Sequence, residues 1–504
     1  MSSSTKMKKP IINVKAKTLL YPFLLFSAII ITLFTELAAA PQQLFKGFTA
    51  SPNPTTPNFQ PLLSDSTGNF SLTFLRVNQD QLALAVLHVP SGESLWQANF
   101  TEPTQWDKHT QLIFNGSIVV TNHHSRVVWS TNTDGDLVVL AGSSNLQILK
   151  GEKSPSVLWQ SFESPSDTLL ENQNFTSTMS LISMNGLYTM RLGPDFIGLY
   201  AKFKSLGSGS DQIYYRHRAM QAKANIIIGH GPILARISSD GFMGLYQNGS
   251  TPVDIESFNS YQRSVPGPRR VRLENDGNLK GYYWSSSSWV LDYEAISETC
   301  ELPSACGLYG LCRPGFGCSC LDNRTLAKVD QCYQTQEIKD LCEESTNKKN
   351  KISEIRRIGV ELPYKELMSY IEMTSFEECE KSCKQNCTCW GVLYNNGSKF
   401  CYNVDYPIQT ILEVVGHESK MGYFKMWEGG KKKRDERLGI GIGLLSGAII
   451  VLGLVIGFGV YKFWKRNKMV NNHNSILEKE DINAPGPYKD LRSSSFGSVE
   501  LSNR

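Results

Sequence analysis

The sequence predicts a mostly β protein: a β-rich region of two domains, then disulfide-rich modules, then a single transmembrane helix. Three observations carry this. Short runs of Val, Ile, Leu, Thr and Phe recur from Phe70 to Leu149 and again over residues 186–296, broken by Gly, Asn, Asp and Ser. That is the pattern of antiparallel strands joined by tight turns, and no helical period of comparable length competes with it. All twelve cysteines lie between Cys300 and Cys401. Leu438–Tyr461 is an uncharged run of 24 residues, long enough as a helix to cross the roughly 30 Å apolar core of a bilayer.

At the start of the chain, Lys6, Lys8, Lys9, Lys15 and Lys17 form a basic region and Leu19–Phe34 an apolar one. Ala38, Ala39 and Ala40 follow as small residues suited to cleavage, so residues 1–40 read as a signal peptide, with an uncleaved anchor as the alternative. Lysine and arginine flank both ends of the apolar run Leu438–Tyr461, so the positive-inside rule is nearly balanced there. Orientation comes from the cysteines and from eight N-x-S/T sequons, at Asn69, Asn99, Asn115, Asn174, Asn248, Asn323, Asn386 and Asn396, all of which precede that run. Disulfides and N-glycans belong to the secretory route, which places the amino-terminal part outside, in a single-pass type I protein of the plasma membrane.

Residues 50–60 read as an extended leader, and strands begin near Phe70. Within residues 41–185, Val128-Trp129-Ser130-Thr131-Asn132, Leu158-Trp159-Gln160-Ser161-Phe162 and Pro165-Ser166-Asp167-Thr168-Leu169-Leu170 resemble the bulb-type lectin domain of plant S-domain proteins. The resemblance implies a β-prism of three four-stranded sheets with Trp96, Trp129 and Trp159 packed on its axis. Mannose binding in that family uses Gln-x-Asp-x-Asn-x-Val-x-Tyr, where amide and carboxylate bond sugar hydroxyls and the tyrosine closes the pocket. The matching positions here read Asp65, Thr67, Asn69, Ser71, Thr73; then Ile113, Asn115, Ser117, Val119, Thr121; then Ala141, Ser143, Asn145, Gln147, Leu149. Every copy lacks the Gln–Asp pair, so the expectation is a retained fold with a changed ligand.

Residues 186–299 resemble the S-locus glycoprotein domain. Two segments echo each other, Asp240-Gly241 through Tyr246 and Asp276-Gly277 through Tyr282. The second offers Asp276, Asn278 and Tyr282 as a candidate sugar contact. Asn275-Asp276-Gly277-Asn278 is equally what a tight hairpin turn requires, and the turn is the stronger expectation.

Cys300, Cys306, Cys312, Cys318, Cys320 and Cys332 form one group of six, for which fifteen pairings are formally open. Zinc would want a reducing compartment and preferably histidine, and no histidine lies between Cys300 and Cys401. Asp292, Glu294 and Glu298 are too loosely placed to make a calcium site. The group resembles an EGF-like module (300–332), which implies the pairs Cys300–Cys312, Cys306–Cys318 and Cys320–Cys332 and the role of a rigid spacer. The second six, with Cys379-x3-Cys383-x3-Cys387-x-Cys389, resemble a PAN/apple module over 342–427. This implies Cys379–Cys401 and Cys383–Cys389, leaving Cys342 for Cys387. Phe376 to Cys383 fits a helix, with Thr374 or Ser375 as its cap, Glu377 and Glu378 in its first turn, and Cys379 and Cys383 on one face.

In the apolar run, Gly439, Gly443 and Gly447 fall four apart, a spacing that lets two helices approach closely and supports a homodimer. The tail, residues 462–504, is polar, holds Ser493, Ser494, Ser495, Ser498 and Tyr488, and is too short for a kinase of roughly 250 residues. Charged residues following the apolar run exclude a GPI anchor. A net charge of +4 with no basic stripe excludes a nucleic-acid partner. The eight histidines are scattered, and no catalytic, metal or cofactor constellation is formed. The expected function is kinase-less recognition at the cell surface: an extracellular protein or glycan ligand, a separate receptor kinase as partner, and no enzyme activity. The second reading is a carbohydrate-binding adhesion protein at the cell wall.

Overall fold

The computed structural model describes residues 40–151, 153–203, 211–219, 233–247, 249–322, 332, 341–344, 351–428 and 452–465. Residues 1–39 of the expected signal segment, Asn248, Asn323, the expected tail beyond residue 465 and Gly439, Gly443 and Gly447 lie outside them.

Two of the first body's sheets are four-stranded. One runs Gln43–Phe45, Leu137–Leu140, Leu146–Lys150, Ser156–Gln160, and the other Val127–Ser130, Ile118–Thr121, Gln111–Phe114, Phe48–Ala50. The third runs Phe59–Ser64, Phe70–Val77, Gln81–His88, Glu93–Gln97, with a short fifth strand, Thr104–Gln105, added to Gln81–His88. That extra strand departs from the even arrangement expected. Alternation along each strand sends Leu72, Phe74, Leu112, Phe114, Val120, Val138 and Ile148 into one common core. Each sheet also contributes one indole, from Ser156–Gln160, Val127–Ser130 and Glu93–Gln97 respectively. Trp96, Trp129 and Trp159 meet with all three ring centroids 5.9 Å apart and the planes strongly tilted, the edge-to-face geometry aromatic rings prefer.

A second body repeats the three-sheet plan. Its sheets are Thr168–Leu170 with Arg269–Leu273, Leu279–Trp284 and Trp289–Glu294; Leu181–Ile182 with Tyr188–Leu192, Phe196–Ala201 and Gln212–Arg218; and Leu234–Ser238 with Phe242–Tyr246 and Asp254–Ser257. Thr168–Leu170 pairs with Arg270–Arg272, so strand pairing joins the last part of 41–185 to the residues that follow it. The pairing spans some hundred residues, which local pattern does not display. The hairpins at Asn185-Gly186, Asp240-Gly241 and Asp276-Gly277 occupy one turn in each sheet, each glycine at positive φ. The echo noticed in the sequence is therefore threefold.

The aliphatic core of this body (Phe175, Met190, Leu199, Ile237, Val271) runs on without a break into Leu302, Tyr309, Tyr364, Trp390 and Tyr406 of the cysteine-rich region. The hairpin Gly310–Arg313 and Gly317–Cys320 is joined in parallel by Ile411–Glu413, through Leu311 to Ile411 and Cys312 to Leu412. Val360–Glu361 completes that sheet. The two cysteine groups thus share one sheet instead of forming beads on a string. A five-stranded sheet (Lys351–Ile358, Lys420–Glu428, Gly391–Asn395, Phe400–Val404, Ile371–Glu372) carries the helix Phe376–Gln385. Ser375 caps the helix by accepting from Glu378 N at 3.2 Å, while the Glu378 carboxylate reaches back to Thr374 N and Oγ1 at 3.0 and 2.9 Å. The buried Lys425 ammonium closes the other end, donating to the carbonyls of Cys383 and Asn386 at 2.8 and 2.9 Å.

Residues 430–504 form a separate unit, in which 452–465 are helical and exposed. Gly453 and Gly457 lie on this helix with open space about them. Among the described residues no helix is long and apolar enough to cross a membrane. The first part of the expected span, 438–451, is outside those residues.

Candidate functional site

At the lectin positions the side chains of Asp65, Asn115, Ser117 and Asn145 are occupied by the fold. Asp65 is buried, and its carboxylate accepts from Thr67 N at 3.0 Å, Thr67 Oγ1 at 2.5 Å and Phe70 N at 2.9 Å. The Asn115 carbonyl accepts from Ser117 N at 3.2 Å, and the Ser117 hydroxyl donates to Thr133 O at 2.8 Å. Asn145 donates to Gln160 Oε1 at 2.7 Å and accepts from Ser161 Oγ and Phe162 N, each at 3.3 Å. A sugar hydroxyl bound at any of these atoms would have to displace a hydrogen bond that shapes a turn or joins two strands.

The Asp276 hairpin is built the same way. Asp276 Oδ1 accepts from Asn278 N at 2.8 Å. Asn278 is buried and spans to the next segment, donating to Ile296 O at 2.7 Å and accepting from Ile296 N at 3.0 Å. Tyr282 donates to Glu274 at 2.8 Å, and burial followed by the Glu274 charge raises its phenol above the ordinary range. Gly277 has a φ of 88°, and a Cβ there would stand 3.0 Å from the Tyr188 ring, so the turn requires glycine on both counts. The structure brings Asp276, Asn278 and Tyr282 together as supports of one hairpin.

Six disulfides are present: Cys300–Cys312, Cys306–Cys318, Cys320–Cys332, Cys342–Cys387, Cys379–Cys401 and Cys383–Cys389. The sulfurs of Cys306, Cys312 and Cys318 lie within 4.8 Å of one another, but each belongs to a disulfide and offers no thiolate to a metal. Six sequon asparagines are described, Asn69, Asn99, Asn115, Asn174, Asn386 and Asn396, and all are exposed.

Sequence reading missed the seam between the two three-sheet bodies. Arg272 donates to Ser94 O at 2.6 Å and to Glu93 at 3.3 Å, and Arg270 meets the same Glu93 carboxylate at 2.5 Å. Arg270 is buried, with Trp289 at 3.9 Å and Tyr282 at 5.3 Å from its guanidinium carbon, and its Nε and Nη1 have no hydrogen-bond partner. Burial and then Arg272 lower its pKa, and the aromatic faces supply what hydrogen bonds do not. His88 packs on Trp284 and Trp289 at 4.7 and 5.2 Å, and burial followed by Arg270 holds its pKa below the ordinary value. The available signal was Arg270 and Arg272 at strand period in a strand, Arg269–Leu273, where three of five residues are arginine.

Two family models match, a D-mannose binding lectin over residues 94–187 and a PAN domain over 354–420. The first match straddles the seam. A PAN domain-containing protein of Arabidopsis thaliana is 50% identical over 464 residues, 92% of each chain. A G-type lectin S-receptor-like serine/threonine-protein kinase of the same plant is 25% identical over 65% of this chain, which spans 42% of that protein's length. The Arabidopsis EP1-like glycoprotein 4 is 25% identical, covering 75% of this chain and 88% of its own. Among solved structures, a two-domain fetuin-binding lectin of Scilla campanulata overlaps half of this chain and 94% of its own at 16% identity, with a TM-score of only 0.19. With lectin-type and PAN matches on one chain and a relative alike over nearly its whole length, the chain belongs to the plant PAN domain-containing proteins related to the G-type lectin receptors.

Proposed function

We propose that this chain is a kinase-less recognition protein of the plasma membrane, spanning it once with the amino-terminal part outside. It binds an extracellular protein or glycan and acts through a separate receptor kinase, as a co-receptor or a decoy. One observation carries the reading: the chain matches 92% of its PAN domain-containing relative but only 42% of the receptor kinase, so its relatives share the recognition region. The occupied polar atoms of Asp65, Asn145 and Asn278 support a ligand held elsewhere than at the lectin positions. The six exposed sequons support a glycosylated outer face, and the Gly439, Gly443, Gly447 spacing supports pairing of two copies in the membrane.

The test is co-purification of the full-length protein from its native membranes, beside a version ending at Lys468. Recovery of a receptor kinase is the expected result. Its loss on truncation puts the contact in the tail, and its retention puts it in the outer part or the helix. Recovery of wall glycans alone with both versions overturns the co-receptor reading in favour of adhesion.

A further inference from the structure

The seam between the two three-sheet bodies closes over a buried histidine. His88 ends the strand Gln81–His88, paired with Phe70 on one side and with Glu93 on the other. Its ring lies 5.6 Å from that of Phe70 within the first body, and 4.7 and 5.2 Å from Trp284 and Trp289 of the second.

One hydroxyl links this histidine to the second body. Ser91 Oγ stands 3.0 Å from His88 Nδ1 and accepts from Glu93 N and from Trp289 Nε1, each at 3.2 Å. A hydroxyl has two lone pairs and one proton. The two N–H groups take the lone pairs, and the proton is left for His88 Nδ1 or for the His88 carbonyl at 3.2 Å. Nδ1 thus faces an oxygen with no lone pair to spare, which suits an acceptor and not a donor. An imidazolium donates at both nitrogens. Proton uptake therefore sets Nδ1 against Glu93 N and Trp289 Nε1 for one oxygen, and the Trp289 bond is the one that crosses the seam.

The charges around the ring act in the same direction. Arg270 is buried, with its guanidinium carbon 3.9 Å from the centroid of the same Trp289 ring, and its Nε and Nη1 have no hydrogen-bond partner. A second cation against that indole adds repulsion where little water is present to screen it. Glu93 is the counter-charge, but its carboxylate is already shared by Arg270 at 2.5 Å and Arg272 at 3.3 Å. Arg272 is turned to Ser94 O at 2.6 Å and towards Asp167 at 3.5 Å. Phe70, Trp284 and Trp289 present rings to His88 from their own strands.

We propose that His88 makes this seam a proton-sensitive joint, closed while the imidazole is neutral and loosened when it takes up a proton. Losing the Trp289 bond frees the first body to shift against the second, and so changes how the outer part presents its surfaces. In the loosened seam the ring meets water and titrates near its ordinary 6.5, whereas burial and then Arg270, opposed by Glu93, hold it lower in the closed one. Closure is fully supported above about pH 6.5 and loses that support as pH falls through the closed-state value. For His217, burial is outweighed by Glu256 and Asp254 and the shift is upward, so its titration cannot mimic this loss.

The test uses the full-length protein in detergent between about pH 7.5 and about pH 4.5, with two mass-spectrometric readouts. Deuterium exchange at the imidazole C2 position follows the titration of His88 itself, and its midpoint is expected below 6.5. Amide exchange, corrected for its intrinsic pH dependence, follows the seam. Protection over residues 84–97 and 279–291 is expected to fall severalfold on acidification with the same midpoint, while residues 137–150 keep theirs. His88→Phe retains a ring without a titrating group, and His88→Asn retains an acceptor beside Ser91; each is expected to abolish the acid-induced loss. The proposal is overturned if the wild-type seam keeps its protection in acid, or if His88 titrates at or above 6.5. It is equally overturned if the two midpoints differ, or if the loss persists in a variant that is protected at neutral pH, which would place the titration on Glu93 or Asp167.

Discussion

The two three-sheet bodies share a plan and close their centres by opposite means. In the first, three indoles meet edge to face, and the core draws Leu170 and Trp289 from the second body onto its margin. In the second, the largest fully buried side chain is a charged one. Arg269 is fully buried, pairing with Asp292 at 2.9 Å and donating to Ser260 Oγ at 2.6 Å, Ser239 O at 3.2 Å and Arg263 O at 3.3 Å. Its apolar core also continues into the cysteine-rich modules. The difference teaches that the same topology can be held by dispersion among aromatic rings or by a satisfied polar network, and the second is far less tolerant of a single loss.

Arg269→Met is the sharpest way to break that symmetry. It leaves Asp292 buried without a cation, at a cost of about 3–5 kcal/mol. Hydrogen exchange on the full chain should show the second body and the cysteine-rich modules opening while the strands around Trp96 stay protected; uniform loss across both bodies would contradict separate cores. Trp159→Leu is the mirror experiment. The ring is only half-buried, so the expected cost is about 2 kcal/mol, confined in the same exchange measurement to residues 43–160.

The smallest effect is one that pH reveals. His217 joins two sheets of the second body, bonding Asp254 at 2.8 Å through Nε2 and Glu256 through Nδ1. Tyr215 and Tyr293 share the Glu256 side of this cluster, and Arg218 pairs away to Asp195 at 3.2 Å. Burial pulls the His217 pKa down, but Glu256 and then Asp254 together carry it above its ordinary 6.5. A folded value above the unfolded one means stabilisation that is complete below about pH 6.5 and lost as pH rises through the folded value. Denaturation midpoints measured from about pH 5 to 9 should fall across that window, and His217→Gln should flatten the fall. An unchanged profile in the variant would assign the pH dependence elsewhere.

How far the sequence could be read depended on the range of each interaction. Ser375 and Glu378 form a cap within four residues, and the capped helix was visible as a pattern. The same holds for the glycine turns at Gly241 and Gly277, whose requirement for positive φ is local. Thr168 stood in a motif that could be read, but its strand partner Arg272 lies across the whole second body, and no local pattern shows that pairing. Glu93 and Arg270 meet across 177 residues, and Glu171 reaches the Arg269 backbone across 98. No periodicity encodes such meetings. The lectin motif shows the converse. Its degraded letters were plain to read, but not that Asn145 and Asn278 had been taken over as struts, because that depends on what Gln160 and Ile296 do in space.

The overlapping covalent loops of the cysteine-rich region also limit how far the chain can be drawn out. Cys342–Cys387 closes a span of 45 residues, and Cys379–Cys401 begins inside it. Fully extended, such a span alone would add on the order of 150 Å of contour length. With the bridges intact that length cannot be released, even after every hydrogen bond in the region has failed. The stretch from Cys342 to Cys401 therefore behaves as a short tether of nearly fixed length, able to pass on tension between its ends without lengthening under it.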